Sequence, residues 1–213
     1  MSYLIVGLGN PGQKFIKTRH NVGRFVLDKL VASLSDDNKV RDWEKRVDLL
    51  ATRAQIKFNT KNLTLLLPDT FMNLSGNSVA KTIKKEKIKI EDVIVVHDDL
   101  ALPLGEIKIS FGRGSGGHNG VQSIIEALGG KEFIRLRIGI TPLIETDSET
   151  KTFWLALWRR FRSNRSSFVL LPFTEQEMKS IEILPSKVRE IISIITEQGL
   201  TSAMNQFNSS LSK

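Results

Sequence analysis

Three histidines are the residues of this chain best suited to proton transfer near neutral pH. Each is followed directly by an asparagine or an aspartate, as His20-Asn21, His97-Asp98-Asp99 and His118-Asn119. Imidazole has an ordinary pKa of about 6.5, and a carboxylate beside it fixes its tautomer and stabilises its charged form. Amide side chains donate and accept hydrogen bonds without titrating. These residue types suit general acid–base chemistry surrounded by hydrogen-bonding amides.

The positions of these residues also indicate a site. Each histidine lies at a predicted boundary of a strand or helix, where the active sites of α/β proteins gather, whereas core histidines would lie among apolar residues. Asn10 adds a further amide in the turn GLGNPG, residues 7–12. Taken singly, His20 is better explained as an exposed loop histidine, and Asn10 as a cap for backbone groups. The repetition of the pattern favours a site.

The rest of the sequence predicts the elements that position these residues. Strands are expected at 3–8, 51–58, 63–68, 91–97, 107–111 and 135–140. Helices are expected at 21–34, 75–85, 119–128, 174–197 with a break near Pro185, and 200–208. Asn21 is the expected N-cap of the first helix, and residues 59–62 have the turn chemistry of a hairpin. This order predicts a single-domain α/β sandwich, residues 1–213, with a mixed central sheet flanked by helices.

Composition narrows the classes of function. With 31 basic and 23 acidic residues, the formal net charge is +8. This charge favours a polyanionic partner such as nucleic acid, although many basic proteins bind nothing in particular. The absence of cysteine excludes a disulfide framework, a thiolate nucleophile and a cysteine zinc site. The apolar runs are too short for a membrane helix and no export signal is recognisable, so we expect a cytoplasmic protein.

The glycines at 7, 9 and 12 match the G-x-G-x-x-G pattern of dinucleotide-binding proteins, but their context does not. In that fold the third glycine opens a helix, so that the pyrophosphate meets the helix N-terminus. Here residues 13–21 separate Gly12 from the predicted helix, and Pro11 removes one backbone N–H from the loop. The acidic residue expected about 20 positions further on is also missing. A nucleotide-cofactor enzyme is therefore disfavoured.

Several loop motifs together resemble the bacterial peptidyl-tRNA hydrolase family. They are GLGNPG with TRHNVG, PDTFMNLSG (68–76), HDDLALPLG (97–105), GSGGHNG (114–120), RLRIGI (135–140) and GLTSAMNQF (199–207). The motifs span nearly the whole chain in order and at compatible spacings. The resemblance implies an enzyme that cleaves the ester between a peptide and the 3′-terminal ribose of tRNA, which recycles tRNA.

The same resemblance assigns catalytic roles to individual residues. His20 would be the general base that activates water, and Asp98 would orient His20 and stabilise its charged form. Asn10 would contact the acyl end of the substrate. Asn73 and Asn119 would hold the peptide backbone and the transition state. Because an ester is already activated, the reaction needs a base and an oxyanion donor but no metal or other cofactor.

Further residues would bind the two halves of the substrate. Phe15, Phe71, Met72 and His118 would line the cleft for the peptide. Lys108, Arg113 and Arg137 would lie beside that cleft and meet phosphates of the tRNA acceptor arm and 3′ end. For each of these cations a solvated surface charge is an equally good explanation. No membrane and no stable protein partner are implied, and we expect a monomer.

The sequence departs from the family pattern at a few positions. Phe15 replaces a usual tyrosine, Ala101 a common acidic residue and Ser110 a common basic residue. The connection at about 144–167 is longer than usual and is predicted to form an enlarged lid. It holds Trp154 and Trp158 and the arginines Arg159, Arg160, Arg162 and Arg165. These arginines are explained either as an RNA clamp or as a solvated surface.

A second function is compatible with the same motifs. The plastid intron-splicing relatives use the same scaffold to bind RNA without hydrolysing it. Because function belongs to the site rather than to the fold, the discriminating feature is the set of catalytic residues. That set is complete here, which favours the enzyme.

Overall fold

The structure is a computed structural model that describes residues 2–35, 43–58, 61–142 and 165–209. Its strands are β1 (Ser2–Gly7), β2 (Glu44–Arg46), β3 (Ala51–Phe58), β4 (Lys61–Pro68), β5 (Val93–Pro103), β6 (Ile107–Phe111) and β7 (Ile134–Thr141). They form one seven-stranded sheet in the order β2-β3-β4-β1-β5-β7-β6. Strand β1 pairs in parallel with β4 and β5, and β5 with β7, whereas the β2–β3, β3–β4 and β6–β7 pairs are antiparallel. The predicted mixed sheet is confirmed.

Helices flank both faces of this sheet. They are α1 (Val22–Ser35), α2 (Ser75–Glu86), α3 (Asn119–Leu128), α4 (Arg165–Val169), α5 (Glu175–Glu182), α6 (Leu184–Gln198) and α7 (Leu200–Asn208). Short 3-10 turns cover Gln13–Phe15, Arg19–Asn21, Val47–Leu49, Met72–Leu74 and Ile90–Asp92. Among the described residues, no helix is both long and apolar enough to cross a membrane.

Two hydrophobic cores lie on opposite faces of the sheet because successive strand residues point to opposite sides. Ile5 of β1 belongs to one core, packed beneath α1 and α6, while its neighbours Leu4 and Val6 belong to the other. Helices α2 and α3 cover that second core with Val79 and with Val121 and Ile124 respectively. The central strands are therefore buried on both faces, which explains their continuous apolar runs.

The predicted elements differ from the observed ones in specific ways. Strand β5 continues through the polar residues after position 97 as far as Pro103, with a shift of register beyond Asp99. Strand β2 was not predicted, because three charged residues at a sheet edge show no strand pattern. The C-terminal helices separate at Ile183, and Pro185 lies in the first turn of α6, where a missing N–H costs nothing.

Close packing of α1 on the sheet explains why positions 7 and 23 are glycines. A Cβ atom on Gly23, in α1, would lie 2.1 Å from the carbonyl oxygen of Val96 in β5. A Cβ atom on Gly7 would lie 2.7 Å from the carbonyl oxygen of Gly23. Helix α1 therefore sits directly on the ends of β1 and β5, and this contact brings the loop before α1 next to the polar residues of β5.

The edge strand β6 is covered by a side chain from the end of the last helix. Oδ1 of Asn208 accepts the backbone N–H of Ile109, and Nδ2 of Asn208 donates to the carbonyl oxygen of Ile109, both at 2.9 Å. The amide of one side chain therefore makes the two hydrogen bonds that a neighbouring strand would make.

Candidate active site

A buried carboxylate joins two histidines at the centre of the site. His20 lies in the 3-10 turn Arg19–Asn21, Asp98 in β5, and His118 at the N-cap of α3. Nδ1 of His20 lies 2.8 Å from Oδ1 of Asp98, and Nε2 of His118 lies 2.9 Å from the same oxygen. We refer to His20, His97, Asp98 and His118 as the histidine cluster.

The hydrogen bonds of this cluster define the tautomers of two rings. Nδ1 of His118 accepts the backbone N–H groups of Gly120 and Val121, at 3.1 and 3.2 Å, and so caps α3. Because that nitrogen accepts, Nε2 of His118 bears the proton that is donated to Asp98. In the same way His20 donates from Nδ1, which leaves its Nε2 as a base. No hydrogen bond to this Nε2 is found within the described ranges.

Electrostatics strengthens His20 as a base. Burial raises the pKa of Asp98, but the neighbouring His20 and His118 outweigh burial and hold that pKa well below its ordinary value. Burial in turn lowers the pKa of His20, whereas the charge of Asp98 and its hydrogen bond raise it. The net result is a pKa above the ordinary 6.5. Asp98 is therefore a permanent anion that favours protonation of His20.

His97 is the most buried of the three histidines. Its Nδ1 lies 2.7 Å from the backbone oxygen of Asp98, and its ring centre lies 4.7 Å from that of His118 in an edge-on contact. Burial is the main cause that lowers the pKa of His97 to about 3. His97 is therefore neutral in the physiological range, and its contact orients the backbone of Asp98.

Asn10 is held by hydrogen bonds that leave its amide nitrogen available. Its backbone N–H donates to Oδ1 of Asn21 and its carbonyl oxygen accepts from Nδ2 of Asn21, both at 2.9 Å. Oδ1 of Asn10 accepts the backbone N–H of Met72 at 2.9 Å. In the part of the chain that is described, Nδ2 of Asn10 has no partner, so this group can donate to a substrate oxygen.

The predicted amides of α2 and α3 lie at the N-terminal ends of these two helices. Asn119 is the first residue of α3, and Asn73 lies in the 3-10 turn that leads into α2, both with exposed side chains. The side chain of Met72, just before α2, lies against Gly120 in the first turn of α3, so the N-terminal ends of the two helices flank one region. Phe71 is 59% exposed beside it. These three side chains are accessible to a substrate.

Two other residues predicted to line the cleft are less accessible. Met72 is buried, and its Sδ fills the space that a side chain on Gly120 would occupy. Its backbone N–H, rather than its side chain, contacts Asn10. Phe15 is half-buried, with Nζ of Lys14 at 4.9 Å from its ring centre.

Comparison with known proteins identifies the family of this chain. The sequence model of the family described as peptidyl-tRNA hydrolase matches residues 4–213. The chain belongs to the peptidyl-tRNA hydrolase family. It is 38% identical over 213 residues to the peptidyl-tRNA hydrolase of Thermodesulfovibrio yellowstonii, covering 96% of this chain and 98% of that protein. It is 39% identical over 206 residues to that of Citrifermentans bemidjiense, covering 96% and 97%.

Solved structures of the family agree with the fold. The crystal structure of the peptidyl-tRNA hydrolase from Acinetobacter baumannii matches with a TM-score of 0.79 and 29% sequence identity. The match covers 97% of this chain and 94% of that chain. A complex of a peptidyl-tRNA hydrolase with N-propanol matches with a TM-score of 0.80 at the same identity. The resemblance inferred from the motifs is thereby confirmed.

Of the basic residues that the family resemblance assigns to tRNA, Arg137 lies beside the histidine cluster, because it pairs with His97 in the sheet. Lys108 of β6 and Arg137 of β7 are directly opposite each other and share one face of the sheet. Arg113 is exposed in the loop before α3. Arg137 forms an ion pair with Asp99, because its Nε donates to Oδ2 of Asp99 at 2.6 Å. We refer to Lys108, Arg113, Arg135 and Arg137 as the basic edge.

Arg135 was missed by the sequence analysis, although it lies in the motif RLRIGI. Its Nη1 donates to the carbonyl oxygen of Gly114 at 2.8 Å and thereby supports the glycine loop that leads to His118. Burial lowers the pKa of Arg135, and the charges of Arg137 and Arg113 add to this effect. Ser110, opposite Arg135, is buried, and its hydroxyl has no hydrogen-bond partner in the described ranges. Position 110 therefore supplies no cation to the basic edge.

Two other residues of the family motif TRHNVG were given no site role. Asn21, the expected N-cap, instead holds the backbone of Asn10. Arg19 is buried beside His20 and pairs with Glu177. The only feature of the sequence that indicates a role for Asn21 and Arg19 is that each adjoins His20. The predicted lid at 144–167 lies almost entirely outside the described residues, so its tryptophans and arginines stay predictions.

A metal ion is the remaining chemical alternative for the cluster. Ligand atoms of His20, Asp98 and His118 lie within 4.8 Å of one another, which is the only such group in the described part of the chain. However, Nε2 of His118 is protonated when Nδ1 caps α3, and a protonated nitrogen has no lone pair for a metal. The geometry therefore suits a hydrogen-bonded acid–base cluster better than a metal site.

Proposed function

We propose that this protein hydrolyses the ester bond between a peptide and the 3′-terminal ribose of tRNA, with His20 as the general base. Membership of the peptidyl-tRNA hydrolase family supports the substrate class. The observation that carries the mechanism is the hydrogen bond between Nδ1 of His20 and Oδ1 of Asp98 at 2.8 Å. This bond fixes the ring so that Nε2 is unprotonated and open to a water molecule.

The reaction begins when Nε2 of His20 removes a proton from water. The resulting hydroxide attacks the ester carbonyl carbon, and the imidazolium is stabilised by the adjacent Asp98 anion. When the tetrahedral intermediate collapses, the bond between the carbonyl carbon and the ribose oxygen breaks. The proton on His20 then passes to that oxygen. The free peptide acid and the tRNA hydroxyl leave, and no acyl-enzyme forms.

Amide groups stabilise the negative charge that develops on the carbonyl oxygen. Asn10 is suited to this role because its Oδ1 is occupied by the backbone of Met72, which leaves Nδ2 as a donor. Asn119 and Asn73 are placed to hold the peptide backbone. Donors that are fixed before the substrate arrives need little reorganisation in the transition state, which is why they stabilise it effectively.

The basic edge supplies the binding surface for the tRNA half of the substrate. Lys108 and Arg113 attract phosphates directly, whereas Arg137 is balanced by Asp99. Because the ester lies at the end of the acceptor arm, a cationic surface beside the histidine cluster is placed to align that arm. We propose that the protein acts in the cytoplasm as a monomer.

The decisive test is release of the acyl group from N-acetyl-aminoacyl-tRNA by the wild type and His20→Ala, with a chelator present. We expect wild-type turnover to survive the chelator and the folded variant to lose at least about 100-fold in kcat. His97→Asn is a matched control, since it replaces a histidine of the same cluster that stays neutral, and it should lose much less.

Three outcomes would contradict the proposal. Tight tRNA binding without turnover in the wild type would indicate a non-hydrolytic RNA-binding protein. Loss of turnover with chelator would indicate a metal enzyme. Full activity of folded His20→Ala would remove His20 from its assigned role.

A further inference from the structure

A buried ion pair lies directly beside the proposed base. Nη2 of Arg19 lies 2.8 Å from both carboxylate oxygens of Glu177, and Nη1 of Arg19 donates to the carbonyl oxygen of Ile140 at 3.2 Å. The Arg19 guanidinium carbon lies 4.8 Å from the ring centre of Phe168 and 5.0 Å from that of Phe173. The two charged side chains are only 2% and 9% exposed. Arg19 is therefore anchored on several sides.

The 3-10 turn connects this anchor to His20. Such a helix has three residues per turn, so its three consecutive side chains point about 120° apart. Arg19 points to Glu177, His20 to Asp98 and Asn21 to the backbone of Asn10. A turn that is fixed in two of its three directions is also fixed in the third. The anchors at Arg19 and Asn21 therefore set the direction of His20.

Backbone pairing attaches the same turn to the C-terminal part of the chain. The N–H of Arg19 donates to the carbonyl oxygen of Leu171, and the N–H of Phe173 donates to that of Lys17, both at 3.0 Å. Thr18 and Pro172 form an antiparallel bridge between these bonds. Helix α5 begins only a few residues later and contains Glu177 in its first turn. Arg19 and Glu177 thus close a small structural unit around residues 17–21.

We propose that Arg19 and Glu177 are positioning residues that hold His20 in line with Asp98 for catalysis, an inference that rests on the proposed role of His20. Stability alone does not explain the pair, because apolar residues of similar volume often stabilise a core as well as a buried ion pair does. An ion pair with directional hydrogen bonds differs from apolar packing in fixing an orientation. Reactions of this kind lose about 100-fold in rate when a catalytic group is misplaced by about 1 Å.

The test compares Arg19→Met, Arg19→Lys and Glu177→Gln with the wild type in steady-state hydrolysis of N-acetyl-aminoacyl-tRNA. We expect Arg19→Met to lower kcat about 100-fold while KM changes less than about threefold, because positioning acts on the chemical step. Arg19→Lys should restore only part of the loss, since an ammonium cannot reproduce the planar contacts of the guanidinium. Glu177→Gln should lower kcat about tenfold by the same reasoning.

Thr174→Ala is the matched control for a purely structural effect. Thr174 and Glu177 form the capping box of α5, in which Oγ1 of Thr174 accepts the N–H of Glu177 at 3.2 Å. Thr174→Ala therefore weakens the start of α5 without removing the partner of Arg19. We expect it to lower the unfolding midpoint but to leave kcat unchanged. A loss of kcat equal to that of Glu177→Gln would overturn the proposal.

Histidine NMR provides a readout that does not depend on turnover. The chain has only three histidines, so the His20 ring can be assigned by its loss in His20→Asn. The charged and titratable groups that face this ring are Asp98 and His118. In folded Arg19→Met and Glu177→Gln, the pKa of His20 should fall from its raised value as the contact with Asp98 loosens.

The two proposals fail in different ways. An unchanged His20 titration together with wild-type kcat in both folded variants would overturn the positioning role alone. An inactive wild type whose His20 titration nevertheless responds to Arg19→Met would keep the positioning role and remove the proposed hydrolysis. If Arg19→Met does not fold, Glu177→Gln and Arg19→Lys decide the question by the same measurements.

Discussion

The histidine cluster and the basic edge lie side by side but are built in different ways. His97 of β5 and Arg137 of β7 are partners in the sheet register, so the two regions adjoin. In the cluster, the carboxylate is buried and its bonds to two imidazoles fix their orientation. At the basic edge, Lys108 and Arg113 project from a sheet edge and a loop. The cluster is held in one arrangement by hydrogen bonds, whereas Lys108 and Arg113 offer the proposed tRNA site mainly their charge.

This difference predicts that the two regions affect different steps. A group that must meet a reacting atom within a few tenths of an ångström acts on kcat. Cations that attract phosphates act on KM, and salt weakens their effect. Asp99 connects the two, because it follows Asp98 in the chain and holds Arg137 in space.

The largest expected effect comes from Asp98→Asn. The variant is expected to lower kcat by about 10³–10⁴, since an amide in place of the acid favours the wrong histidine tautomer and cannot stabilise the imidazolium. Single-turnover hydrolysis would measure this loss. Asp99→Asn, a matched change at the next position, should retain most of kcat. Equal losses in the two variants would show that Asp98 has no special relation to His20.

His118→Asn separates the two roles of that residue. Asparagine is a good N-cap, so α3 and the unfolding midpoint should be preserved, but the bond from Nε2 to Asp98 is lost. We expect kcat to fall about 10- to 100-fold, because a hydrogen bond to a charged group is worth about 1.5–3 kcal/mol and Asp98 loses one of the two bonds that hold it. Unchanged kcat, measured alongside thermal unfolding, would limit His118 to capping.

The raised pKa of His20 predicts a pH profile. Because the base must be unprotonated, kcat/KM should rise with pH and level off above a midpoint that is higher than 6.5. Removing the charge in Asp98→Asn leaves burial to dominate the pKa of His20, so the midpoint should move down.

The raised pKa of His20 also predicts how stability depends on pH. A group whose pKa is raised on folding contributes its stability below its unfolded pKa, and that contribution is lost as pH rises through the folded value. His20→Asn should therefore lose stability relative to the wild type at acid pH and not at alkaline pH.

The smallest effect is expected at the basic edge. Lys108→Glu and Arg113→Glu should each raise KM severalfold at low salt with little change in kcat, and each should lower the salt slope by about 1 if it contacts a phosphate. Lys187→Glu, the same charge change on the exposed side of α6, is the control. Equal effects of all three would show that only net charge matters.

Much of the fold followed from patterns of local sequence. The strand at 107–111 and the helix at 119–128 have the predicted bounds, because apolar periodicity and flanking glycines define both. Strand β5 extends further than predicted because its polar residues pair with β7 despite having no apolar pattern. Strand β2 escaped prediction because short charged edge strands resemble loops.

The site was predictable only in part, for a related reason. Motifs identified His20, Asp98 and Asn10 as members of one site, and the structure brings His20 and Asp98 into contact. The second bond of Asp98, to His118, could not be predicted, since one oxygen serving two rings depends on the three-dimensional placement of α3. The pairing of Arg19 with Glu177 joins residues 158 positions apart and has no local signal.

The bond between Asn208 and Ile109 has a consequence for association between molecules. An uncovered edge strand offers unpaired backbone groups to which another chain can add, and such addition leads to aggregation. Here one amide near the C-terminus occupies that position. We expect Asn208→Ala to expose it and to increase light scattering at high concentration, while Asn205→Ala, one turn earlier on the same helix, would not. The last turn of α7 therefore blocks one position on β6 at which a strand of another chain could pair.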